Sequence, residues 1–420
     1  MEQSLRDKLI EIARDTKKAG RKLGKLSTLE KNTILNSIKN SLLKNSEKVL
    51  KANSIDIKNG KDSGMSEGLL DRLFLTEERI KAMIDSIDVI IKLNDPVGNM
   101  DQVDKLPNGI QVGKKRVPIG VLAVIYESRP NVTLDAAILA IKSSNAIILR
   151  GGKEAINSNK AIVDSIREGI REAGFDENMV NLIENTERES SIELMKLRGY
   201  VDLLIPRGSQ RLISSVVENS KVPILETGVG NCHLYVDDSA DIEKALRIFE
   251  NGKTQRIGVC NALESLLVSE QISDEFYNGL QDIVDKHGLK VHGCEKSAEK
   301  IRNVIEVTDE DYGKEYLDYE FSMKIVSGID EAIEHIYEYS THHSEAIVTE
   351  NLKNATKFID EVDSACVYIN ASTRFTDGSE FGLGAEMGIS TQRIHARGPV
   401  GLKELTTYKY ILLGDGQIRG

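Results

Sequence analysis

Cys260 stands in the run Arg256-Ile257-Gly258-Val259-Cys260-Asn261-Ala262, directly ahead of the apolar stretch 263–268. A glycine two positions before the thiol opens the backbone, and small or polar residues follow it. That context presents a thiol to a cleft instead of burying it. A thiol is the protein nucleophile best suited to neutral pH, because part of it is thiolate there. If Cys260 reacts, the chemistry is acyl transfer, and the chain must also supply an acyl substrate and a second reactant. Three further thiols compete for attention. Cys232 precedes the apolar run HLYVD and reads as a buried rival. Cys366 lies inside ACVYIN and reads as core, and Cys294 in HGCEKS reads as a loop thiol without a partner. The four spacings fit neither a zinc site nor a disulfide framework, which points to free thiols in a reducing compartment.

The second reactant is sought among cations and glycines. Two strand–turn–helix junctions put both at the start of a helix: Arg150-Gly151-Gly152-Lys153 after AIIL, and Arg207-Gly208-Ser209-Gln210 after LLIP. Free N–H groups and the helix dipole favour anions there. Neither junction matches G-x-G-x-x-G or a P-loop, so each alone is also consistent with an ordinary turn and a solvated cation. Arg129-Pro130-Asn131 follows another strand-like run. Asn131 is read evenly as a helix N-cap or as an amide donor to an oxyanion. Glu226 opens the glycine-rich run Glu226-Thr227-Gly228-Val229-Gly230, a place suited to acid–base work, although a plain surface-loop glutamate is the commoner meaning. The seven histidines show no metal-ligand spacing, and no metal is expected.

These residues need a scaffold. The 420 residues allow two or more domains. The composition is that of an ordinary globular chain, 40% hydrophobic and 29% charged, and the net charge of −11 argues against a general nucleic-acid or membrane binder. The N-terminus is amphipathic without a signal-peptide core, and no run of about 18 apolar residues occurs, so a cytoplasmic protein is expected. Residues 1–95 show helical periodicity, with Ser27 and Glu30 forming a capping box. Turn signals at 96–117 suggest a hairpin. From 119 onward, strand-like runs (119–125, 146–150, 179–184, 201–206, 222–226) alternate with helical stretches. A second alternation begins near 241 and carries strands at 263–268, 289–293, 322–327, 344–350 and 365–370. The pattern predicts α/β architecture with parallel-rich sheets. The expected division is residues 1–235, residues 236–372 with Cys260, and a return segment 373–420 ending in a strand at 406–413.

The runs VPIGVLAVIYESRPNVTLDAA, ILRGGKEA, ILETGVGNCH and RIGVCNA occur in an order that resembles the aldehyde dehydrogenase superfamily. The stretch 326–347 and the tail 381–410 are similar to its glutamyl-phosphate-reducing branch. The resemblance covers essentially the whole chain. It implies two α/β domains plus an oligomerisation element, and NADPH-dependent reduction of L-glutamyl 5-phosphate to L-glutamate 5-semialdehyde with release of phosphate. Cys260 then matches the nucleophile, Glu226 the water-activating glutamate of hydrolytic members, and Asn131, loosely, the oxyanion asparagine. Either Arg150 or Lys153 stands against the cofactor ribose, and Arg207, Gly208 and Ser209 meet the pyrophosphate. Glu320 and Phe321 resemble a nicotinamide-ribose contact. Arg129, Asn370, Ser372, Arg374 and Arg397 are candidates for holding an anionic substrate. The resemblance also implies a homodimer or homotetramer through 96–117 and 406–413, and a functional link to a separate glutamate 5-kinase. A coenzyme-A-acylating enzyme and a catalytically silent homologue are the alternatives.

Overall fold

The computed structural model describes residues 4–419 and divides the chain into two compact units. The first holds the chain up to Glu226, together with Gly382–Gly388 and the segment from Val400 onward; the second holds Thr227–Phe381 and Ile389–Pro399.

Unit 1 opens with helices α1 (Leu5–Leu23), α2 (Thr28–Lys44), α3 (Ser46–Asp62), α4 (Glu67–Leu73) and α5 (Glu77–Lys92). The expected capping box is present: Ser27 Oγ accepts the Glu30 N–H, and the Glu30 carboxylate accepts the Ser27 N–H at 2.7 Å. The turn signals produce a hairpin, β1 (Met100–Lys105) antiparallel to β2 (Gln111–Pro118). The alternation that follows forms β3 (Val121–Tyr126), α6 (Pro130–Lys142), β4 (Ala146–Gly151), α7 (Ile156–Glu172), β5 (Val180–Leu182), α8 (Arg188–Met195), β6 (Leu203–Arg207) and α9 (Gln210–Asn219). The four strands are parallel in the order β5-β4-β3-β6. Every residue of β3 and β4 is buried, which is why both read as unbroken apolar runs. The strand order turns back at β3, so the carboxyl ends of β3 and β6 flank the crevice where open parallel sheets bind ligands. The strand expected at 222–226 does not form. Only an isolated bridge joins Leu204 to Ile224, and Pro223 has no N–H to give a ladder.

Unit 2 repeats the principle on a larger sheet. Its elements are β7 (Cys232–Val236), α10 (Ile242–Thr254), β8 (Leu263–Ser269), α11 (Asp274–His287), β9 (Lys290–Gly293), α12 (Glu295–Lys300), β10 (Ile305–Glu306), α13 (Asp309–Tyr312), β11 (Glu320–Val326), α14 (Ile329–Tyr339), β12 (Ser344–Val348), α15 (Leu352–Glu361) and β13 (Cys366–Ile369). The strands are parallel in the order β10-β9-β11-β8-β7-β12-β13. A short antiparallel pair follows, β14 (Ile389–Ser390) and β15 (Gly398–Pro399). The last strand, β16 (Thr406–Leu413), belongs to unit 1 and extends the hairpin to a sheet β1-β2-β16. The boundary lies between Glu226 and Thr227 instead of near 235, because β7 pairs with β8 and β12 and so belongs to the second sheet. The segment after 372 is likewise shared between the two units.

Candidate active site

The Cys260 turn lies in unit 2, between the end of α10 and the start of β8. The Ala262 N–H closes it by donating to the Val259 carbonyl at 3.1 Å. Cys260 is half-buried, as its small-residue context suggests. The loop entering β7 packs directly under it. A Cβ on Gly230 would fall 1.5 Å from the Cys260 carbonyl oxygen, so only glycine allows this approach. Gly230 N–H donates to Glu315 at 2.9 Å, and the Cys232 thiol donates to the Cys260 carbonyl at 3.2 Å. From the other side, Asn261 donates its side-chain amide to the carbonyls of Thr376 (2.9 Å) and Arg374 (3.3 Å), while Thr373 Oγ1 donates to the Asn261 carbonyl at 2.8 Å.

Arg374 is half-buried and gives its Nε–H to Gln255 at 3.0 Å. Burial and the nearby Arg256 lower its proton affinity, while attraction to Cys260 raises it. The expected cation therefore stands within the field of the thiol. The other unit 2 candidates are engaged elsewhere. Asn370 exchanges both amide groups with the Thr349 backbone, at 3.0 and 2.9 Å. Ser372 is buried and accepts the Arg374 N–H at 3.3 Å. Arg397 binds the carboxylate and carbonyl of Asp363, at 2.6 and 2.8 Å. Glu320 accepts from Lys290 at 2.7 Å and pairs with His292 Nε2 at 3.1 Å. Phe321 is fully buried and packs edge-on against Phe249, so its side chain belongs to the core and not to a ribose contact.

The unit 1 junctions are filled by carboxylates. At the start of α7, Asp56 of α3 accepts the Ser158 N–H at 2.7 Å and the Asn157 N–H at 3.3 Å. At the start of α9, Glu127 accepts the Ser209 N–H at 2.7 Å and its hydroxyl at 3.1 Å. A Cβ on Gly208 would come within 2.5 Å of that same carboxylate. Arg150 is buried, and its guanidinium donates to Ser190 and to the carbonyls of Gly151, Thr186 and Glu187. That arrangement clamps a loop, and it leaves the exposed Lys153 as the cation of the first junction. Arg207 is half-buried and acts on Asp135 of α6. The N-cap of α6 is Arg129 and not Asn131; Pro130 takes the first helical position, which moves Asn131 into the first turn. Asn131 is exposed and donates to Asp135 at 3.1 Å, so its amide is already engaged in the helix. Glu226 is half-buried at the last position of unit 1.

The model of the aldehyde dehydrogenase family matches residues 2–306. The chain is 51% identical over 411 residues to gamma-glutamyl phosphate reductase of Clostridium novyi (strain NT), covering 98% of this chain and 99% of the relative. It is 53% identical over 407 residues to the protein of the same name from Caldanaerobacter subterraneus subsp. tengcongensis, covering 97% and 98%. The chain belongs to the aldehyde dehydrogenase family. Among solved structures, the crystal structure of gamma-glutamyl phosphate reductase from Thermotoga maritima superposes with a TM-score of 0.96 at 50% identity, over 99% of this chain and 100% of that one. An acetylating aldehyde dehydrogenase from Geobacillus thermoglucosidasius shares the fold, with a TM-score of 0.72 at 19% identity. Membership of the aldehyde dehydrogenase family implies a nicotinamide cofactor and a small-molecule substrate. Among the described residues, no helix is long and apolar enough to cross a membrane, and no cluster of His, Cys, Asp and Glu could hold a metal ion.

Behind the Cys260 turn lies a pair of charges that its motif does not announce. Lys253 and Glu264 form a fully buried ion pair at 2.7 Å behind the Cys260 turn, and Lys253 also donates to the Leu263 carbonyl at 2.9 Å. Burial pushes Glu264 up to about 7 against the attraction of Lys253, and burial likewise pulls Lys253 down. Removing one partner of such a pair typically costs about 3–5 kcal/mol. A signal was available: Lys253 continues the buried stripe of Ala245 and Phe249, and Glu264 interrupts an apolar strand. Cys294, away from that pair, is not a loop thiol without a partner: it caps α12 and pairs with Ser297 Oγ at 3.3 Å. Burial works against its ionisation, but hydrogen bonds from Ser297 and neighbouring backbone groups outweigh that and lower its pKa. Cys232 and Cys366 are buried, as their strands suggested.

Proposed function

We propose that this chain reduces L-glutamyl 5-phosphate to L-glutamate 5-semialdehyde with NADPH, releasing phosphate, in the second step of proline biosynthesis from glutamate. The observation that carries the reading is the Cys260 turn, held from both sides with Arg374 in its field, in a chain whose end-to-end relatives are named gamma-glutamyl phosphate reductase.

Cys260, as thiolate, attacks the acyl carbon; a carbon–sulfur bond forms and the carbon–oxygen bond to phosphate breaks. An ordinary thiol with a pKa of about 8.5 is only partly ionised at neutral pH, so positive charge nearby helps. Arg374 supplies it, and also suits the anionic substrate. Backbone N–H groups around Cys260 are the natural holders of the oxyanion, since Asn131 is already bonded to Asp135. When bound, NADPH supplies the hydride that reduces the thioacyl carbon. Lys153, Arg207, Gly208 and Ser209 would hold it at the β3/β6 crevice. The Glu127 carboxylate acts as an internal stand-in there, marking the start of α9 as an anion site that a phosphate would take over. No water should attack the thioester, so Glu226 has a lesser role, in positioning or in proton transfer at the thiol.

The exposed Tyr408, Tyr410, Leu412 and Leu413 on the edge strand β16 support a homodimer or homotetramer. A cytoplasmic location and receipt of the labile substrate from a glutamate 5-kinase belong to the same proposal.

The test runs the reaction in reverse. Glutamate 5-semialdehyde should reduce NADP⁺ through repeated turnovers only when phosphate or arsenate is present. Turnover with coenzyme A in place of phosphate would point to an acylating enzyme, and none with either acceptor would leave a silent homologue.

A further inference from the structure

We propose that Cys232 is a positioning residue for Cys260: its thiol hydrogen holds the Cys260 carbonyl and so sets the orientation of the 260–261 peptide beside the reactive side chain. The inference deepens the preceding reading and rests on Cys260 being the nucleophile.

Cys232 begins β7 and is fully buried, with Sγ 3.2 Å from the Cys260 carbonyl oxygen. Gly230 packs against the same carbonyl, at a distance no other residue could accept. The contacts beneath the turn then close on themselves. Cys232 Sγ lies 3.8 Å from His343 Nδ1, which is 2.8 Å from Ser344 Oγ. Ser344 Oγ lies 2.6 Å from Thr376 Oγ1, which is 2.7 Å from the Tyr368 hydroxyl. The Thr376 carbonyl accepts the Asn261 side-chain amide at 2.9 Å. A path that starts at the carbonyl of residue 260 therefore ends on the side chain of residue 261, so one peptide is held at its carbonyl and beside it.

Two physical points give that peptide its importance. In a trans peptide the C=O and the next N–H point in opposite directions. A Cys260 carbonyl aimed at the buried Cys232 thus turns the Asn261 N–H away from the core, as a donor for negative charge developing at the reacting carbon. The holder must also keep its proton. Burial, reinforced by Glu345, pushes the Cys232 thiol well above its usual value, so it stays a neutral donor while Cys260 ionises. A filler of the core needs only volume, whereas this role needs the S–H.

The test separates volume from donor. Cys232→Ala and Cys232→Val remove the donor at smaller and larger volume; Cys232→Ser keeps one. Each variant is checked for folding by circular dichroism and thermal unfolding, then assayed in the phosphate-dependent reverse reaction. Alkylation of Cys260 by iodoacetamide is followed in parallel by peptide mass spectrometry. We expect kcat to fall about tenfold or more in the Ala and Val variants, with KM for both substrates within about twofold, because small misplacements of a reacting group cost rate more than binding. Alkylation of Cys260 should slow in the same variants, and the Ser variant should recover both readouts to within about threefold. A folded Ala or Val variant with wild-type kcat overturns the proposal. So does a folded Ser variant that has lost more than tenfold, whatever the others do. Retained activity in Cys260→Ser would instead remove the nucleophile reading itself, and the two failures are therefore distinguishable.

Discussion

At the carboxyl ends of β4 and β6, the helix N-termini that look open in sequence are occupied from within: Asp56 holds the start of α7 and Glu127 the start of α9. At the Cys260 turn the reverse holds. Carbonyls, a hydroxyl and a thiol of neighbouring segments hold the turn, while the reactive side chain stays half-buried. The difference is one of what each region must do. A helix terminus carries unsatisfied donors that a nearby carboxylate can satisfy at once, so a glycine–cation junction names an anion site without naming its occupant. A nucleophile must be held without being consumed, and only backbone and neutral donors achieve that.

The comparison can be broken first at the thiol. Cys260→Ser should lower turnover by roughly a thousandfold or more, since a hydroxyl is a far weaker nucleophile at neutral pH; Cys294→Ser, in a thiol of similar exposure, should stay near wild type. Steady-state kinetics of both variants would show whether the held turn or the capping thiol is the reactive one. Arg374→Ala should come next, raising KM for the glutamyl substrate by about tenfold or more while KM for NADPH stays within about twofold. Equal changes in both would remove Arg374 from the substrate side. The junctions are tested by Glu127→Gln, which removes the internal charge at the start of α9. It should lower KM for NADPH a few-fold, whereas Asp56→Asn, at a fully buried cap, should reduce thermal stability without improving cofactor affinity. An unchanged KM in Glu127→Gln would mean the cofactor phosphate binds elsewhere.

The smallest effect is on stability against pH. His343 is buried and pulled down to about 4, and His335 lies further below its usual value through burial, with His233 and Lys324 adding to the effect. Both are neutral in the folded chain, and the unfolded chain binds the protons they refuse. Their contribution is complete above pH of about 6.5 and is lost as pH falls toward 4, at about 1.4 kcal/mol per pH unit for each ring. Urea unfolding between pH 7 and 5 should show that slope, and His335→Phe should flatten it.

The sheet strands were legible because parallel strands covered on both faces are continuous apolar runs, as in β3 and most of β4. The 222–226 stretch looked the same but carried Pro223, and its one bridge shows how a missing donor ends a ladder. The thiol stands out as a local motif and Arg374 enters as one of several candidate cations, but the close approach of Gly230 to the Cys260 carbonyl is not written in its run. What sequence could not reveal was commitment across long separations: Arg150 to the carbonyls at 186 and 187, Arg397 to Asp363, and Phe321 to Phe249. Each has the right residue type for a ligand and is already engaged by a neighbour that lies far away in the chain or, for Phe321, buried in the core.

The central claim is that Cys260 carries the acyl group. Glutamate 5-semialdehyde and NADP⁺ mixed rapidly with enzyme, without phosphate, should give a burst of one NADPH per active site and then stop. Peptide mapping should place a glutamyl thioester on Cys260, and added phosphate should release it and restart turnover. A burst without modification of Cys260, or a thioester on Cys294 or Cys232, would contradict the account.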